Sequence, residues 1–377
     1  MALEGESEMV HILATADWQL GKAFSGVGEG ANRFREQLFL TAEHIINEVS
    51  SDFDIILILG DTFDRPDTDW QLIERVAELL RSSEKPIHII PGNHDYWHTG
   101  GVLWALNNEL EDADHVTIHS DQQPCRVESL DLTLFPGVLQ QRNDLSDRTS
   151  WIPAREDDDG LRIGMFHEII DIMPDGSFNS EIASECDLDI VILGDQHGPS
   201  ENWEDSPLFN SQKSADRRLW YTGSHEAQNI SQNWQGRVLS INAELGQEPI
   251  VNPISVGSLR FTQIEFEFEE DMEEPLVLLN ERLGEIDCDS ELTFVRLNLT
   301  GEATPETLEA LDENLAEFIE SWPVSTVERG QLAVLIDPEN TDLNLRQIER
   351  ELENMNLEPS VLARSIVLLR RYHRRLA

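Results

Sequence analysis

Apolar residues fall into two rhythms along the first two hundred positions of the chain. Short unbroken apolar runs occur in VHILATAD (10–17), DIILILGD (54–61), PIHIIPGNHD (86–95), LRIGMFH (161–167) and DIVILGD (189–195). Between the first three lie segments whose apolar residues return every three or four positions. These are ANRFREQLFLTAEHIINEVS (31–50), through Phe34, Leu38, Ile45 and Ile46, and DWQLIERVAELLRSS (69–83). Unbroken runs of this length fit strands covered on both faces, and the wider spacing fits amphipathic helices. Their alternation predicts β-α-β units. The shorter candidates VTIHS (116–120) and DLTLFPG (131–137) lead us to expect antiparallel strands after residue 115 and a mixed sheet system.

Near residue 260 the rhythm shifts. RFTQIEFEFEE (260–270) alternates like a strand with one wet face, and PLVLLNERLGEI (275–286) is helical. LTFVRLNL (292–299) reads as a strand, PETLEALDENLAEFIESW (305–322) as a helix and GQLAVLIDP (330–338) as a strand. The predicted organisation is an α/β domain over 8–258, a small α+β domain over 259–340 and a helical tail over 341–377. The tail carries a helix at 343–355 and the segment SVLARSIVLLRRYHRRLA (360–377). PAREDDDG (153–160) and the polar stretch 200–216 read as loops.

Composition narrows the class. Hydrophobic residues make up 40% of 377, enough for a sizeable core and about two domains. No run of about 18 apolar residues is present, so no membrane span is expected. The opening MALEGESEMV lacks the charged-then-apolar pattern of a leader, which leads to the expectation of a cytoplasmic protein. Cys125, Cys186 and Cys288 are widely spaced and form no CxxC, so neither a disulfide framework nor a thiolate zinc site is expected from spacing. The charge changes the picture most: 73 Asp and Glu stand against 27 Lys and Arg, a balance of −46. A compact chain with that charge repels itself in dilute buffer. In molar salt the screening length falls to about 3 Å and the repulsion fades. The composition therefore predicts a salt-rich cytoplasm, such as that of a halophilic archaeon.

The chemistry gathers where the apolar runs stop. Asp17 and Gln19 follow the first, Asp61 and Asp64 the second, and Asn93, His94 and Asp95 the third. His167 ends the fourth, and Asp195 and His197 follow the fifth. Singly, each has an ordinary use: a turn aspartate, a cap, a core histidine. Together they are metal-ligand types at strand C-termini, where the loops of an α/β sheet face one crevice. Carboxylate, amide oxygen and imidazole suit borderline-hard divalent ions and exclude a thiolate set there.

The string DWQ…GDTFDR…GNHD…H…GDQH resembles the five-motif signature of the calcineurin-like metallophosphoesterases across residues 10–198. DWQLGK (17–22) and WYTGSHEAQN (220–229) are similar to segments of the SbcD-type exonucleases of DNA double-strand-break repair, without the arginine expected in the second. The resemblance implies a two-sheet sandwich flanked by helices, with a small α+β capping domain. It implies two divalent metal ions: one held by Asp17, Gln19, Asp61 and His197, the other by Asp61, Asn93, His167 and Asp195. His94 would act on the leaving oxygen as the catalytic residue, with Asp64 and Asp95 orienting their neighbours. Gln19 and Asp195 stand where the family has histidines. This oxygen-rich set favours Mn²⁺ or Mg²⁺ over zinc, and Mn²⁺ is expected; the alternative is a site weakened in metal and activity. Arg65, Tyr96 and Trp97 are candidate substrate contacts, with wall or surface roles as the alternative; Trp18 has the same two uses. Arg33, Arg35, Arg217 and Arg218 are further candidates for phosphate contact. The implied partners are DNA, an SMC-like ABC-type coiled-coil ATPase subunit and a second copy of the chain, with no membrane. Val361, Leu362, Ile366 and Leu369 have the spacing to dock that ATPase or to pack on their own domain. The implied activity is metal-dependent exonuclease/endonuclease hydrolysis of DNA. Alternatives are a nucleotide or small-molecule phosphodiesterase or phosphatase, and a structural subunit.

Overall fold

The computed structural model describes residues 9–156, 159–169, 181–198, 218–232, 234–269, 272–286, 288–334 and 343–376. The chain divides into two compact units. The first comes mainly from residues before Arg260, and the second from Arg260 onward together with Ser25–Ala31 and Asn229–Asn233.

The first unit is built on two sheets. Strands β1 (Val10–Thr15), β2 (Ile55–Leu59), β3 (Ile87–Ile90) and β4 (Val116–Ile118) run parallel to one another. β10 (Arg237–Ala243) and β11 (Ile250–Ser255) extend that sheet antiparallel on the β1 side, giving the order β11-β10-β1-β2-β3-β4. The second sheet has the order β5-β6-β7-β8-β9, from Cys125–Val127, Leu132–Pro136, Leu161–His167, Ile190–Gly194 and Leu219–Tyr221. Alternate residues of the two sheets meet in one core: Ile12, Ala14, Ile55, Leu57 and Leu59 from the first, Leu134, Ile163, Met165 and Ile192 from the second. The remaining residues of β2 are buried as well, so both faces of this strand are covered.

Helices flank the sheets. α1 (Ala31–Asn47) buries Phe34, Leu38, Ala42, Ile45 and Ile46 along one side. α2 (Trp70–Arg81) starts at Asp69, whose side chain accepts the amide of Gln71 at 3.0 Å and satisfies a donor the helix leaves open. α3 (Val102–Glu109) packs on α2, and the four-residue α4 (Ile182–Glu185) precedes β8. Neither α3 nor β5, β9, β10 and β11 was expected from periodicity. β5 and β9 are three residues long, and β11 is largely exposed, too little apolar pattern to read.

The expectation that strands after residue 115 run antiparallel is corrected. β4 is parallel to β3, and β6 through β9 are parallel to one another; among the described residues only β5, β10 and β11 add antiparallel pairings. β6, β7 and β8 are buried at every position. Such strands carry no wet face and suit a parallel sheet.

The second unit holds a three-stranded parallel sheet of order β12-β13-β14, from Arg260–Phe268, Thr293–Ala303 and Ser325–Val334. α5 (Pro275–Gly284) connects the first two strands and α6 (Pro305–Ser321) the second two. Thr304 caps α6 by accepting from the Thr307 amide, and Pro305 follows at the first helical position, where its missing N–H costs nothing. α7 (Leu343–Glu353) and α8 (Pro359–Leu376) complete the unit, and α8 packs on β14 and α6. Ala363 and Val367 of α8 enter the same core as Leu279, Leu297, Leu311 and Phe318. Ile366 is fully buried, whereas Val361 is exposed. β14 begins at Ser325, five residues before the expected GQLAVLIDP, and residues 335–338 of that segment lie outside the described residues. So do the stretch 200–216, Arg217 and the side chains of 371–377. Arg370 is engaged by Glu349 at 2.7 Å and Glu306 at 3.5 Å.

Candidate metal centre

Five loops converge at the C-terminal ends of β1, β2, β3, β7 and β8. Their backbones are tied together before any side chain is considered. The amide of Asp17 donates to Gly60 O, Gln19 to Asp61 O and Leu20 to Thr62 O. The β1 and β2 loops thus run alongside each other past the strand ends. Asp95, on the β3 loop, accepts from the amides of Gly92 (2.7 Å), Asp61 (3.2 Å) and Phe63 (3.2 Å) and clamps the β2 loop to its own. Gln228 donates from its side chain to Asp17 O at 2.6 Å.

The packing is close enough to dictate residue types. Gly60 has φ +86°, and a Cβ there would lie 2.4 Å from His167 Nδ1. A Cβ on Gly92 would meet Asp61 Oδ1 at 2.1 Å. Asp17, Gln19, Asp61 and Asp195 all have positive φ, between 43° and 71°. Such conformations cost of order 1 kcal/mol or more each and cluster where surroundings force them. Here they turn each side chain off its strand end and into the common pocket.

His167 stands at the centre. Its Nδ1 donates to Leu59 O at 2.6 Å, which leaves the Nε2 lone pair facing the pocket. Nε2 lies 3.5 Å from Asp61 Oδ1, 3.7 Å from Asp195 Oδ1 and 3.9 Å from Asp17 Oδ1, and hydrogen-bonds to none of them. His197 Nε2 is 3.6 Å from Asp17 Oδ1. Asn93 donates from its amide nitrogen to Asp195 Oδ1 at 3.1 Å, and its own Oδ1 is buried without a hydrogen bond. Asp61 Oδ1 accepts the backbone amide of His94 at 2.8 Å, and its Oδ2 accepts from Gln19 at 3.3 Å.

The ionisation pattern follows from crowding three carboxylates in a buried place. Burial opposes ionisation of Asp61, but His167 and then His94 hold its carboxyl at about 2. Asp17 goes the other way: burial raises it well above the usual carboxylate range, and Asp61 and Asp195 add to the rise. Burial opposes charge on His167 too, yet with no cation among them the surrounding carboxylates raise it well above an ordinary histidine, and a bound cation would take the place of that Nε2 proton. Burial lowers His197 to about 4, assisted by Lys22. Asp95 is raised to about 7 by burial and by Asp61.

These residues fit divalent cations. Both oxygens of Asp17, Asn93 Oδ1 and His167 Nε2 are buried acceptors with no hydrogen bond. A buried acceptor without a donor costs about 1–3 kcal/mol, and these four belong to three residues aimed into one pocket. A ligand atom from each of Asp17, Asp61 and His167 lies within 4.8 Å of the other two. Gln19 is the exception. Its Oε1 accepts from Lys22 Nζ at 2.5 Å, while its amide nitrogen faces Asp61 and His197. Lys22 can only donate, so it selects the oxygen. As a ligand Gln19 would have to leave Lys22.

The other expected residues divide. His94 is half-buried, with Nδ1 donating to Asp64 O at 2.8 Å, so its Nε2 is available. Asp64 lies 3.5 Å from Lys22. Arg65 is exposed and held at both ends by Asp67, at 2.8 and 2.7 Å. Tyr96 stacks on His98 with centroids 4.9 Å apart, and Trp97 is half-buried with its amide on Leu139 O. Trp18 is fully buried and donates to Thr15 Oγ1, a wall residue. Arg35 is spent on Ala23 O and Asn32, Arg218 on Leu188 O and Ser184. Lys22 and Gln228 were missed by sequence reasoning. The signal for Gln228 lay in WYTGSHEAQN, a polar string with His225, Glu226 and Gln228 all buried.

Residues 10–199 match the family of calcineurin-like phosphoesterases. The chain belongs to that family. It is a metallophosphoesterase, a hydrolase of phosphate esters. Over 92 residues it is 38% identical to the SbcD subunit of the SbcCD nuclease of Bacillus subtilis (strain 168); the match covers 23% of this chain and 22% of that protein. Among solved structures, TT1561 of Thermus thermophilus aligns over 66% of this chain and all of its own, with 11% identity and a TM-score of 0.38. Purple acid phosphatase PPD1 from yellow lupin (Lupinus luteus) seeds aligns over 67% of this chain and 52% of its own, with 12% identity and a TM-score of 0.41. Among the described residues of this metallophosphoesterase, no helix is long and apolar enough to cross a membrane.

Proposed function

We propose that this metallophosphoesterase is a metal-dependent DNA exonuclease/endonuclease subunit of double-strand-break repair. The observation that carries hydrolysis is the cluster of unpartnered buried acceptors from Asp17, Asn93 and His167 around Asp61. The step from phosphoester to DNA rests on the similarity to the SbcD subunit of the Bacillus subtilis nuclease.

Asp17, Asp61, Asn93, His167, Asp195 and His197 are the residues that would hold two divalent cations, Mn²⁺ by the oxygen-rich donor set. Such a pair, when bound, supplies an acidified water and a clamp on the attacking and leaving oxygens. His167 is kept in the right tautomer by Leu59 O, and Asp95 holds the two loops that carry Asp61 and His94. His94 in its doubly protonated form, with Nδ1–H pinned by Asp64 O, presents Nε2–H to the phosphate, gives that proton to the leaving oxygen and is left as the neutral Nδ1–H ring. Asp64 and Asp95 orient; Arg65, Tyr96 and Trp97 are weaker substrate contacts, since Arg65 must release Asp67 and Tyr96 must release His98. With a charge of −46, general phosphate attraction is weak in salt, so the metal centre dominates DNA contact. The same reading makes the second unit a capping domain. Its partners are an SMC-like ABC-type coiled-coil ATPase and a second copy of the chain, and its setting is a salt-rich cytoplasm.

The test is hydrolysis in high KCl with Mn²⁺, offering labelled duplex and single-stranded DNA, mononucleotides and bis-p-nitrophenyl phosphate. DNA cleavage abolished by EDTA is expected. Turnover of the small diester or nucleotides with DNA intact would replace the nuclease by a small-molecule phosphodiesterase. Fewer than two bound metals and no turnover would make it a structural subunit.

A further inference from the structure

Away from the five loops, three more potential ligands come together where the two sheets of the first unit meet at one edge. His88 lies on β3 in register with Leu57 of β2, and Leu57 faces the core between the sheets. His119 comes one residue after the Ile89–Ile118 pair of β3 and β4, and its amide donates to Ile89 O at 2.9 Å. Cys125 opens β5 and packs against the inter-sheet core from the other side. β4 and β5 are terminal strands of their sheets. His88 and His119 are buried, and Cys125 is half-buried. His88 Nδ1 and His119 Nε2 are 3.2 Å apart, with ring centroids 5.3 Å apart and planes inclined by 21°. One ligand atom from each of His88, His119 and Cys125 lies within 4.8 Å of the other two.

We propose that His88, His119 and Cys125 form a zinc site that ties the two sheets together at this edge. Two imidazoles and a thiolate are a borderline-soft set of the kind zinc takes, with water completing a tetrahedron. Two nitrogens bound about 2.05 Å from a tetrahedral centre are about 3.3 Å apart, close to the separation seen here. Burial also keeps both rings in the neutral form that ligates: His88 is lowered to about 4 by burial, and His119 to about 3 by burial and by His88. In the metal-free chain the two nitrogens share one N–H···N hydrogen bond. Loading replaces that proton bridge by the ion as the donor ring shifts its proton to its other nitrogen, and the Cys125 thiol gives its proton to solvent. Chain spacing gave no hint of this set because its members come from three separate strands and turns. It shares no residue with the phosphoesterase centre, which contains no sulfur.

That difference supplies the test. Co²⁺ takes zinc's tetrahedral ligands, and a thiolate bound to it gives a near-ultraviolet charge-transfer band that oxygen and nitrogen ligands cannot give. The full chain is stripped by chelation and titrated with Co²⁺, then with Zn²⁺. A charge-transfer band that Zn²⁺ bleaches is expected in the wild type. It should be retained in a Cys186→Ser/Cys288→Ser variant, whose sole thiol is Cys125, and in Asp61→Asn. Cys125→Ser should abolish it, and His88→Ala should weaken Co²⁺ binding at this band at least tenfold. No band in the wild type, its loss in the Cys186→Ser/Cys288→Ser variant, or its survival in Cys125→Ser would each overturn the site. None of these outcomes bears on DNA hydrolysis, so the site and the nuclease reading stand or fall separately.

Discussion

Replacing His94 by Ala removes an imidazole but keeps the backbone N–H that donates to Asp61 Oδ1 at 2.8 Å. His94→Ala should therefore lower kcat by about 10²–10⁴ while the protein still binds two metals, measured by elemental analysis beside turnover. Full activity in that variant would remove His94 from the chemistry. A second residue sets acid stability. His225 is buried, donates to Leu38 O at 2.9 Å and is lowered to about 4 by burial. The unfolded chain binds this proton near pH 6.5 and the folded chain only near 4, so between these values the unfolded state holds more protons and stability falls as pH falls. The loss amounts to about 3 kcal/mol across that window. In urea titrations of the chelated protein, the stability gap between wild type and His225→Gln should shrink by about that amount from pH 7 to pH 4. The positions of Asp17, Asp61, Asn93, His167 and His197 were legible as strand-end polar residues. The competition of Lys22 for Gln19 was not, because a contact three residues apart depends on the left-handed backbone at Gln19.

Among the elements, the loop after β3 is the one on which the centre hangs. Asp95→Ala would strand three amides, from Gly92, Asp61 and Phe63, in a buried place. A cost of about 3–5 kcal/mol is expected, together with weaker metal binding. Thermal melts with and without Mn²⁺ check both: the metal-induced rise in Tm should shrink in the variant. Helices α1 and α2 were legible because their apolar positions recur at helical spacing. β6 and β4 were placed correctly but given the wrong direction. A short apolar run fixes burial without fixing orientation, and orientation follows from where the chain must cross. The early start of β14 escaped because Ser325, Glu328 and Arg329 dilute the apolar pattern.

For the whole molecule, charge is the governing quantity. With −46 spread along the chain, raising KCl from dilute to molar should screen self-repulsion and stabilise the fold by a few kcal/mol, on the order of 5–10 °C in Tm. A Tm that is flat or falls with KCl would detach the acidity from salt adaptation. The three-stranded sheet of the second unit has a consequence of another kind. β12, β13 and β14 are all parallel, so no tight hairpin can seed their pairing. Each strand must wait for a helix to swing the chain back across the sheet before its ladder can zip. Such non-local topology slows barrier crossing. After dilution from urea, recovery of the second unit should show no hairpin-fast phase, with the intervening species exposing the unpaired flank of Thr293–Ala303 and prone to clump at high protein concentration.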